Sequence, residues 1–277
     1  MKKSILIFIF LIGFTIFSYP FISNLFATKE HYTLINDYHE KVHEMEAEQI
    51  TKEKAKAREH NEQLAKSEVV YVDPFSDEEE SESTVGNKSY YDALQINPAI
   101  GTIHIPKIDV ELPIYHGTGE KTLSRGVGHL ENSSLPSGEL GTHSVLTAHR
   151  GLPSSKLFRN MDEMAIGDHF FVHVLDETLA YEVQSVQIVL PHETEWLQFS
   201  EEDNIVTLLT CEPYMINTHR MLVTGYLVPY EEEIESSQEE AINLPFFIMI
   251  GIVIAGIFTI WLIWRHKRKG GRANEEK

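Results

Sequence analysis

The sequence predicts a mainly β protein: a closed or nearly closed barrel of seven to eight strands with short helices, preceded by an N-terminal helix and flanked by two transmembrane helices. Three observations support this fold class. The 277-residue chain has an uncharged apolar stretch near each end, a long stretch without Gly or Pro after the first, and then about 140 residues of short β-type runs separated by turns.

The two apolar stretches predict the membrane topology. Ser4 to Ala27 and Ala241 to Trp264 contain no charged residue, and each can cross about 30 Å of hydrocarbon at 1.5 Å per residue. A basic start precedes the first stretch, and the basic run 265–269 follows the second. Because Lys and Arg stay in the cytoplasm, we predict a cell-membrane protein with two spans, both termini inside and the middle outside. For the first stretch a cleaved signal peptide is the alternative, although no small-x-small cleavage pattern is present.

Shifts in composition divide the chain into seven predicted parts. They are an N-terminal anchor or signal (1–27), a membrane-proximal helical region (28–67), a loop (68–88), the β-barrel domain (89–230), an acidic linker (231–242), a C-terminal transmembrane helix (243–264) and a basic cytoplasmic tail (265–277).

Composition excludes several classes of function. The chain has 23 basic and 42 acidic residues and a net charge of −19, which argues against nucleic acid as a partner because phosphate neutralisation needs clustered Lys and Arg. A single cysteine, Cys211, rules out an intramolecular disulfide and any Cys-based zinc or iron–sulfur site. His143 and His149 lack metal-ligand spacing, so we predict no metal site.

Residues 29–67 are rich in Glu, Lys, Ala and Gln, and they predict one helix. Leu34, Tyr38, Val42 and Met45 form an apolar face that we expect to pack on the chain's own domain. Four histidines of this region are interpreted as solvated: His31, His39, His43 and His60.

The barrel prediction comes from runs rich in Val, Ile, Tyr and Thr, several of which alternate apolar and polar residues. Only short helical pieces are predicted among them, such as Ser155–Asn160. The predicted strands are Gly101–Ile105, Val110–Tyr115, Thr142–Ala148, His169–Leu175, Ala180–Val189, Asn204–Thr210 and Met221–Val228.

The loop before the barrel contains two different features. Residues 77–83 are an acidic run that we interpret as solvated. Asp73-Pro74-Phe75 is a turn signal with an aromatic side chain in polar surroundings, and such a ring normally finds a place to bury.

Cys211 ends one predicted strand and Arg220 begins the next. If these strands pair antiparallel, the two residues lie near the same hairpin mouth, with Cβ atoms about 5 Å apart when directly opposite. Arg keeps its charge and offers fixed donors to a developing oxyanion. A lone cysteine is more often an inert buried residue, so Cys211 by itself would not indicate an enzyme.

His149 strengthens the catalytic interpretation because it also stands at a strand's end, before the turn Arg150-Gly151-Leu152-Pro153. If its strand runs parallel beside that of Cys211, both residues share one rim of the barrel. A histidine there can hold the thiolate as an ion pair and later give a proton to a leaving amine.

These residues resemble a known family. Thr207-Leu208-Leu209-Thr210-Cys211 is similar to the T-L-x-T-C signature of sortases, and His149, Cys211 and Arg220 follow in that family's order. The resemblance covers roughly residues 90–230. Within the family the chain is similar to class C, the pilin-polymerising sortases. The features that support this are Ala148–Pro153, the Asp73-Pro74-Phe75 segment and the C-terminal span.

The resemblance implies a sortase-like barrel and a cysteine transpeptidase without a cofactor. It would cut a Leu-Pro-x-Thr-Gly-type sorting signal between Thr and Gly, with Cys211 as nucleophile, His149 as proton donor and Arg220 as oxyanion stabiliser or peptide-positioning group. The acceptor in class C is a Lys side chain of another pilin subunit. Asp73, Pro74 and Phe75 correspond to a lid, in which Phe75 covers Cys211 and Asp73 contacts Arg220.

The resemblance also assigns Thr210, Glu212 and Met215 to the substrate cleft. Glu212 and Met215 depart from the pattern T-C-T-P-Y-G, where Thr and Gly are expected, so substrate preference is open. Three alternatives remain: a housekeeping-type sortase that uses a cell-wall precursor as amine, a secreted thiol protease of another fold, and a non-catalytic membrane-bound scaffold. The order of His before Cys disfavours a papain-like enzyme.

Overall fold

A computed structural model describes residues 2–67, 71–76 and 88–231, with side chains from Phe10 onward except Leu11. The predicted acidic run 77–83, most of the acidic linker, the second apolar stretch and the basic tail lie outside the described residues.

The described elements are four α-helices, two short 3₁₀ helices and eight strands. The α-helices are α1 (Lys2–Glu44), α2 (Ala47–Leu64), α3 (Lys88–Asp92) and α4 (Glu120–Leu123), and the 3₁₀ helices are Pro106–Ile108 and Met161–Glu163. The strands are β1 (Gly101–Ile105), β2 (Val110–His116), β3 (Val127–His129), β4 (Thr142–Thr147), β5 (His169–Val174), β6 (Glu177–Val189), β7 (Asn204–Glu212) and β8 (His219–Val228).

The eight strands close into a barrel in the order β1-β2-β3-β4-β7-β8-β6-β5. Two neighbouring pairs are parallel, β2 with β3 and β4 with β7, and the others are antiparallel. The prediction of a mainly β closed barrel of seven to eight strands is therefore confirmed, with eight strands in the described chain. The strand missed by sequence reasoning is β3, which has only three residues.

The barrel interior is filled by apolar side chains from alternating strand positions, as expected for a small closed barrel. Phe170 and Tyr181 are fully buried and stack with ring centroids 5.3 Å apart. Gly225 of β8 lies against this pair, and a Cβ there would be 2.6 Å from the Phe170 ring. Only glycine therefore fits at position 225 without displacing the stacked rings.

The helical region packs on the barrel along its predicted face. Tyr38 and Val42 are buried, and Leu34 and Met45 are half-buried. The Tyr38 hydroxyl donates to the carbonyl of Ile100 at 3.2 Å and accepts from the backbone N–H of Leu175 at 2.9 Å. These two bonds attach α1 to the barrel, since buried hydroxyls need such partners.

The prediction of one helix over 29–67 is wrong in detail because the chain breaks between α1 and α2. Glu46 has extended backbone angles, φ −72° and ψ 148°, and its N–H donates to the Gln49 side chain at 3.1 Å. This is one half of a capping box, which begins a new helix at Ala47.

Two further local predictions are corrected. His31 and His60 are buried rather than solvated, and His60 pairs with the Ser89 hydroxyl at 3.1 Å, whereas His39 and His43 are exposed. The predicted helical piece Ser155–Asn160 contains a turn, because Leu157 has φ +44°, a left-handed conformation that ends a right-handed helix.

Among the described residues, none of the helices combines enough length with enough apolar character to cross a membrane. The prediction of two spans is therefore not supported by the structure. The first predicted span falls on the N-terminal part of α1, and the second lies outside the described residues.

Two histidines beside Tyr90, the half-buried His116 and the buried His129, predict an acid-sensitive fold. Ring centroids of His116 and His129 lie 4.7 and 5.6 Å from that of Tyr90, and burial lowers the pKa of His116 to about 4 and of His129 to about 3. The unfolded chain takes up protons on these groups near pH 6.5, while the folded chain does not. The full contribution of each neutral histidine to the free energy of unfolding is thus present above about pH 6.5. This contribution falls by roughly 3 kcal/mol for each group as pH falls towards 4.

Urea unfolding at pH 7 and pH 4.5 measures this loss of unfolding free energy. We expect His116→Gln to flatten the pH dependence, and His43→Gln, which alters an exposed histidine of α1, to leave it unchanged. An equally steep loss in His116→Gln would contradict the assignment.

Candidate active site

The rim of the barrel at the ends of β4 and β7 gathers the three residues singled out in the sequence. Cys211 of β7 lies directly opposite Arg220 of β8 in the antiparallel register. The hairpin geometry considered from the sequence is therefore present, with thiol and guanidinium on adjacent strands.

His149 reaches the same rim from β4. This strand runs parallel to β7 with Thr147 opposite Leu209, so a continuation of the register by two residues brings His149 level with Cys211. Side-chain bonds fix this alignment. Thr147 donates to the Leu209 carbonyl at 3.1 Å, and Thr210 donates to the Ala148 carbonyl at 2.7 Å.

The predicted substrate residues have different environments. Thr210 is fully buried, and its hydroxyl bridges β7 to the residue before His149, so it supports the rim rather than lining its surface. Glu212 is in an ion pair with Arg150. Met215 lies in the β7–β8 loop and is 80% exposed, which leaves it accessible to a peptide.

The predicted lid segment, Asp73, Pro74 and Phe75, contacts the rim at Arg220 and His149. The Asp73 carboxylate accepts two hydrogen bonds from Arg220, at 2.8 Å from Nε and 2.5 Å from a terminal nitrogen. The Phe75 ring lies 5.3 Å from the Arg220 guanidinium and 5.5 Å from the His149 ring. Phe75 therefore stands between the two proposed partners of Cys211.

An apolar cluster beneath the lid holds it in place. Phe75 and Tyr71 pack against the buried residues Leu130, Val145, Leu209 and Leu222. Tyr71 also meets Trp196 edge to face at 5.3 Å. Such aromatic pairs add about 0.5–1.5 kcal/mol beyond area burial, so the lid has an apolar anchor besides its ion pair.

Burial determines which protonation state of the Cys211 thiol is favoured. Cys211 is 4% exposed, and burial raises its pKa to about 11; Arg220 and Arg150 lower it, while Asp73 raises it. With residues 73–75 in this position the sulfur is covered from solvent, and the raised pKa favours the neutral thiol over the nucleophilic thiolate at pH 7.

Two features of the rim were missed by sequence reasoning. Glu120 of α4 lies 3.3 Å from His149 Nε2, and nothing in the spacing of these distant residues indicates this contact. Arg150 is 7% exposed and contacts both Glu212 and Asp162, the latter at 3.1 Å. The unusual Glu212 was the one signal in the sequence that pointed to this pair.

A thiol, an imidazole and a guanidinium at one rim of a closed barrel form the kind of site that cysteine transpeptidases use. Comparisons agree with this class. Residues 103–228 match the family model of the sortase domain. Sortase D of Bacillus subtilis (strain 168) is 33% identical over 116 residues, which are 42% of this chain and 56% of that protein.

Two solved structures share a higher sequence identity with this chain than Sortase D does. Sortase C1 of GBS Pilus Island 1 is 39% identical with a TM-score of 0.67, covering 73% of this chain and 94% of that one. Streptococcus pneumoniae sortase C is 40% identical with a TM-score of 0.64, covering 72% and 97%. The chain belongs to the sortase family, whose members are cysteine transpeptidases, and its structural neighbours are class C sortases.

Proposed function

We propose that this protein is a transpeptidase that cleaves a Leu-Pro-x-Thr-Gly-type sorting signal between Thr and Gly and transfers the acyl group to a lysine amine of another pilin subunit. The observation that carries the proposal is the pairing of Cys211 with Arg220 at the rim that His149 also reaches. It requires the lid segment to move, because the thiol is covered while Asp73 holds Arg220.

Acylation begins when the Cys211 thiolate attacks the Thr carbonyl. Arg220, released from Asp73, donates to the oxyanion or positions the peptide, where a fixed donor is most effective. The C–N bond to Gly breaks, a thioester forms on sulfur, and protonated His149 gives its proton to the departing amine. The Glu120 carboxylate lies 3.3 Å from His149 Nε2, where it can accept a hydrogen bond that orients the imidazole ring.

Deacylation reverses these roles. The incoming lysine amine attacks the thioester carbonyl and loses a proton to neutral His149, and the thiolate departs. An amide replaces an amide, so the reaction needs neither ATP nor a cofactor.

Two observations support a class C assignment within the family. The lid segment contacts Arg220 through Asp73, and the structural neighbours named above are class C sortases, of which that of the GBS pilus island is 39% identical. We therefore propose pilins as substrates, with the barrel acting on the outer side of the cell membrane. Met215, exposed beside the rim, is proposed as a substrate contact.

The choice of amine tests the subclass. Purified full-length protein is mixed with a Leu-Pro-x-Thr-Gly peptide and equal amounts of a lysine-containing pilin fragment and a cell-wall precursor peptide, and products are identified by mass spectrometry. We expect joining to the lysine side chain, and the same fragment with Lys replaced by Arg serves as control. Exclusive joining to the precursor peptide would favour a housekeeping-type enzyme, and no joining at all would favour the non-catalytic scaffold.

A further inference from the structure

We infer that the ion pair of Arg150 and Glu212 tunes the reactivity of the Cys211 thiol, with Arg150 favouring the thiolate and Glu212 opposing it. Both are positioning residues that act on the site through charge, without touching the reacting atoms. The inference rests on the proposed role of Cys211 as nucleophile.

Each member of the pair is the next residue in the chain after a proposed catalytic residue. Arg150 directly follows His149, and Glu212 directly follows Cys211 on the parallel neighbour of β4. Adjacent residues of a strand point to opposite faces, so Glu212 points away from the face of β7 that carries Cys211. Arg150, in the segment after β4, meets Glu212 there and completes the pair. Its charges therefore reach the thiol through the protein rather than by contact.

Arg150 is a strongly constrained cation. It is 7% exposed, its guanidinium contacts the Glu212 carboxylate and lies 3.1 Å from that of Asp162, and its Nε donates to the Arg159 carbonyl at 3.5 Å. The Glu212 side chain is also largely covered, at 18% exposure. Charges with little solvent around them act over longer distances than surface charges do.

Cys211 is surrounded by charged and titratable groups from several elements. Arg220 comes from β8, Asp73 and Tyr71 from the lid region, His149 and Arg150 from the segment after β4. Burial raises the pKa of Cys211, and both guanidinium groups lower it. Asp73 belongs to the lid and must leave with it, whereas Arg150 and Glu212 belong to the barrel rim and remain when the lid opens.

The residue at position 212 changes the balance of charge around Arg150. Position 212 is where the sequence departs from the T-C-T-P-Y-G pattern, and the residue that stands there carries a negative charge. Without that charge the carboxylate beside Arg150 in the described chain would be that of Asp162, which is 53% exposed and therefore better screened. Glu212 thus holds the thiol less reactive than the scaffold alone would make it.

Substitutions that remove either the negative charge of Glu212 or the positive charge of Arg150 distinguish an electrostatic role of the pair from a structural one. The rate of Cys211 modification by iodoacetamide is measured from pH 6 to pH 10 by intact mass, in the full-length protein and in the lid variant Asp73→Ala/Phe75→Ala. For Glu212→Gln we expect the midpoint of the pH–rate profile to fall by about 0.5, a roughly threefold faster reaction on the rising limb. For Arg150→Gln we expect a similar rise, and for the double variant a return towards the parent value.

Glu163→Gln is the matched control, because it removes the same charge from the exposed neighbour of Asp162 and should leave the profile unmoved. Midpoints that shift in the same direction in both single variants, or do not shift, would overturn the inference. If Arg150→Gln proves unfolded by circular dichroism, Glu212→Gln and Asp162→Asn decide, since both should lower the midpoint. Variants whose midpoints shift as expected, together with a parent protein that forms no adduct with a sorting peptide, would instead refute the proposed function.

Discussion

Replacement of Cys211 by Ala is expected to abolish transpeptidation, with turnover falling by at least roughly 10⁴-fold, the scale seen when a catalytic nucleophile is removed. The acyl group must be held covalently between the two peptides, and no other cysteine exists in the chain to hold it. Arg220 and His149 would still bind and orient a peptide, but water or a lysine amine would have to attack the amide directly. Product formation from a sorting peptide and a pilin fragment measures the loss.

The fold should tolerate this change. Cys211 is a small buried residue, and Ala keeps the β7 backbone and the Asp73–Arg220 pair. We therefore expect the thermal unfolding midpoint to stay within a few degrees of the parent value. In cells, loss of polymer with normal amounts of the protein would agree with an enzyme. Polymer at the parent level in Cys211→Ala would show that the sulfur is not the nucleophile.

Removal of the lid contacts is expected to raise the reactivity of Cys211 by roughly 100-fold at pH 7.5. Burial raises the pKa of this thiol to about 11, and Asp73 contributes in the same direction. In Asp73→Ala/Phe75→Ala the sulfur meets solvent and faces Arg220 without the opposing carboxylate. A fall of the pKa towards about 9 increases the thiolate fraction at pH 7.5 about 100-fold.

Single substitutions distinguish the effect of covering the Cys211 thiol from the effect of the Asp73 charge. Asp73→Asn keeps the shape of the lid but loses the negative charge and the ion pair with Arg220, and we expect a smaller increase than in the double variant. Ser76→Ala, which removes only a hydroxyl bonded within the same segment, is the control and should label at the parent rate. Equal labelling rates in all four proteins would remove the claim that this segment guards the thiol.

The barrel and the relation of Cys211 to Arg220 could be predicted from the sequence because their signals are local. Alternation of apolar residues marks strands, and a short loop between two strands predicts an antiparallel hairpin. His149 was predictable as a strand-end residue, although its alignment with Cys211 depended on an assumed parallel pairing of β4 and β7.

The features that escaped prediction depend on contacts distant in the chain. Three residues are too few for periodicity to reveal β3, which is defined by its neighbours β2 and β4. His60 looks like a surface residue in its helix, and only the packing of α2 beside α3 buries it. Likewise Glu120 meets His149 through the path of the β2–α4 connection, which no local pattern encodes.

The most direct test of the account is a search for a covalent intermediate. Full-length protein carrying Asp73→Ala/Phe75→Ala is mixed with a Leu-Pro-x-Thr-Gly peptide in the absence of an added amine and analysed by intact and peptide mass spectrometry. We predict a thioester adduct of the peptide up to Thr on Cys211, which disappears when a lysine amine is added. An unmodified Cys211 beside an intact peptide would contradict the claim that this rim performs acyl transfer.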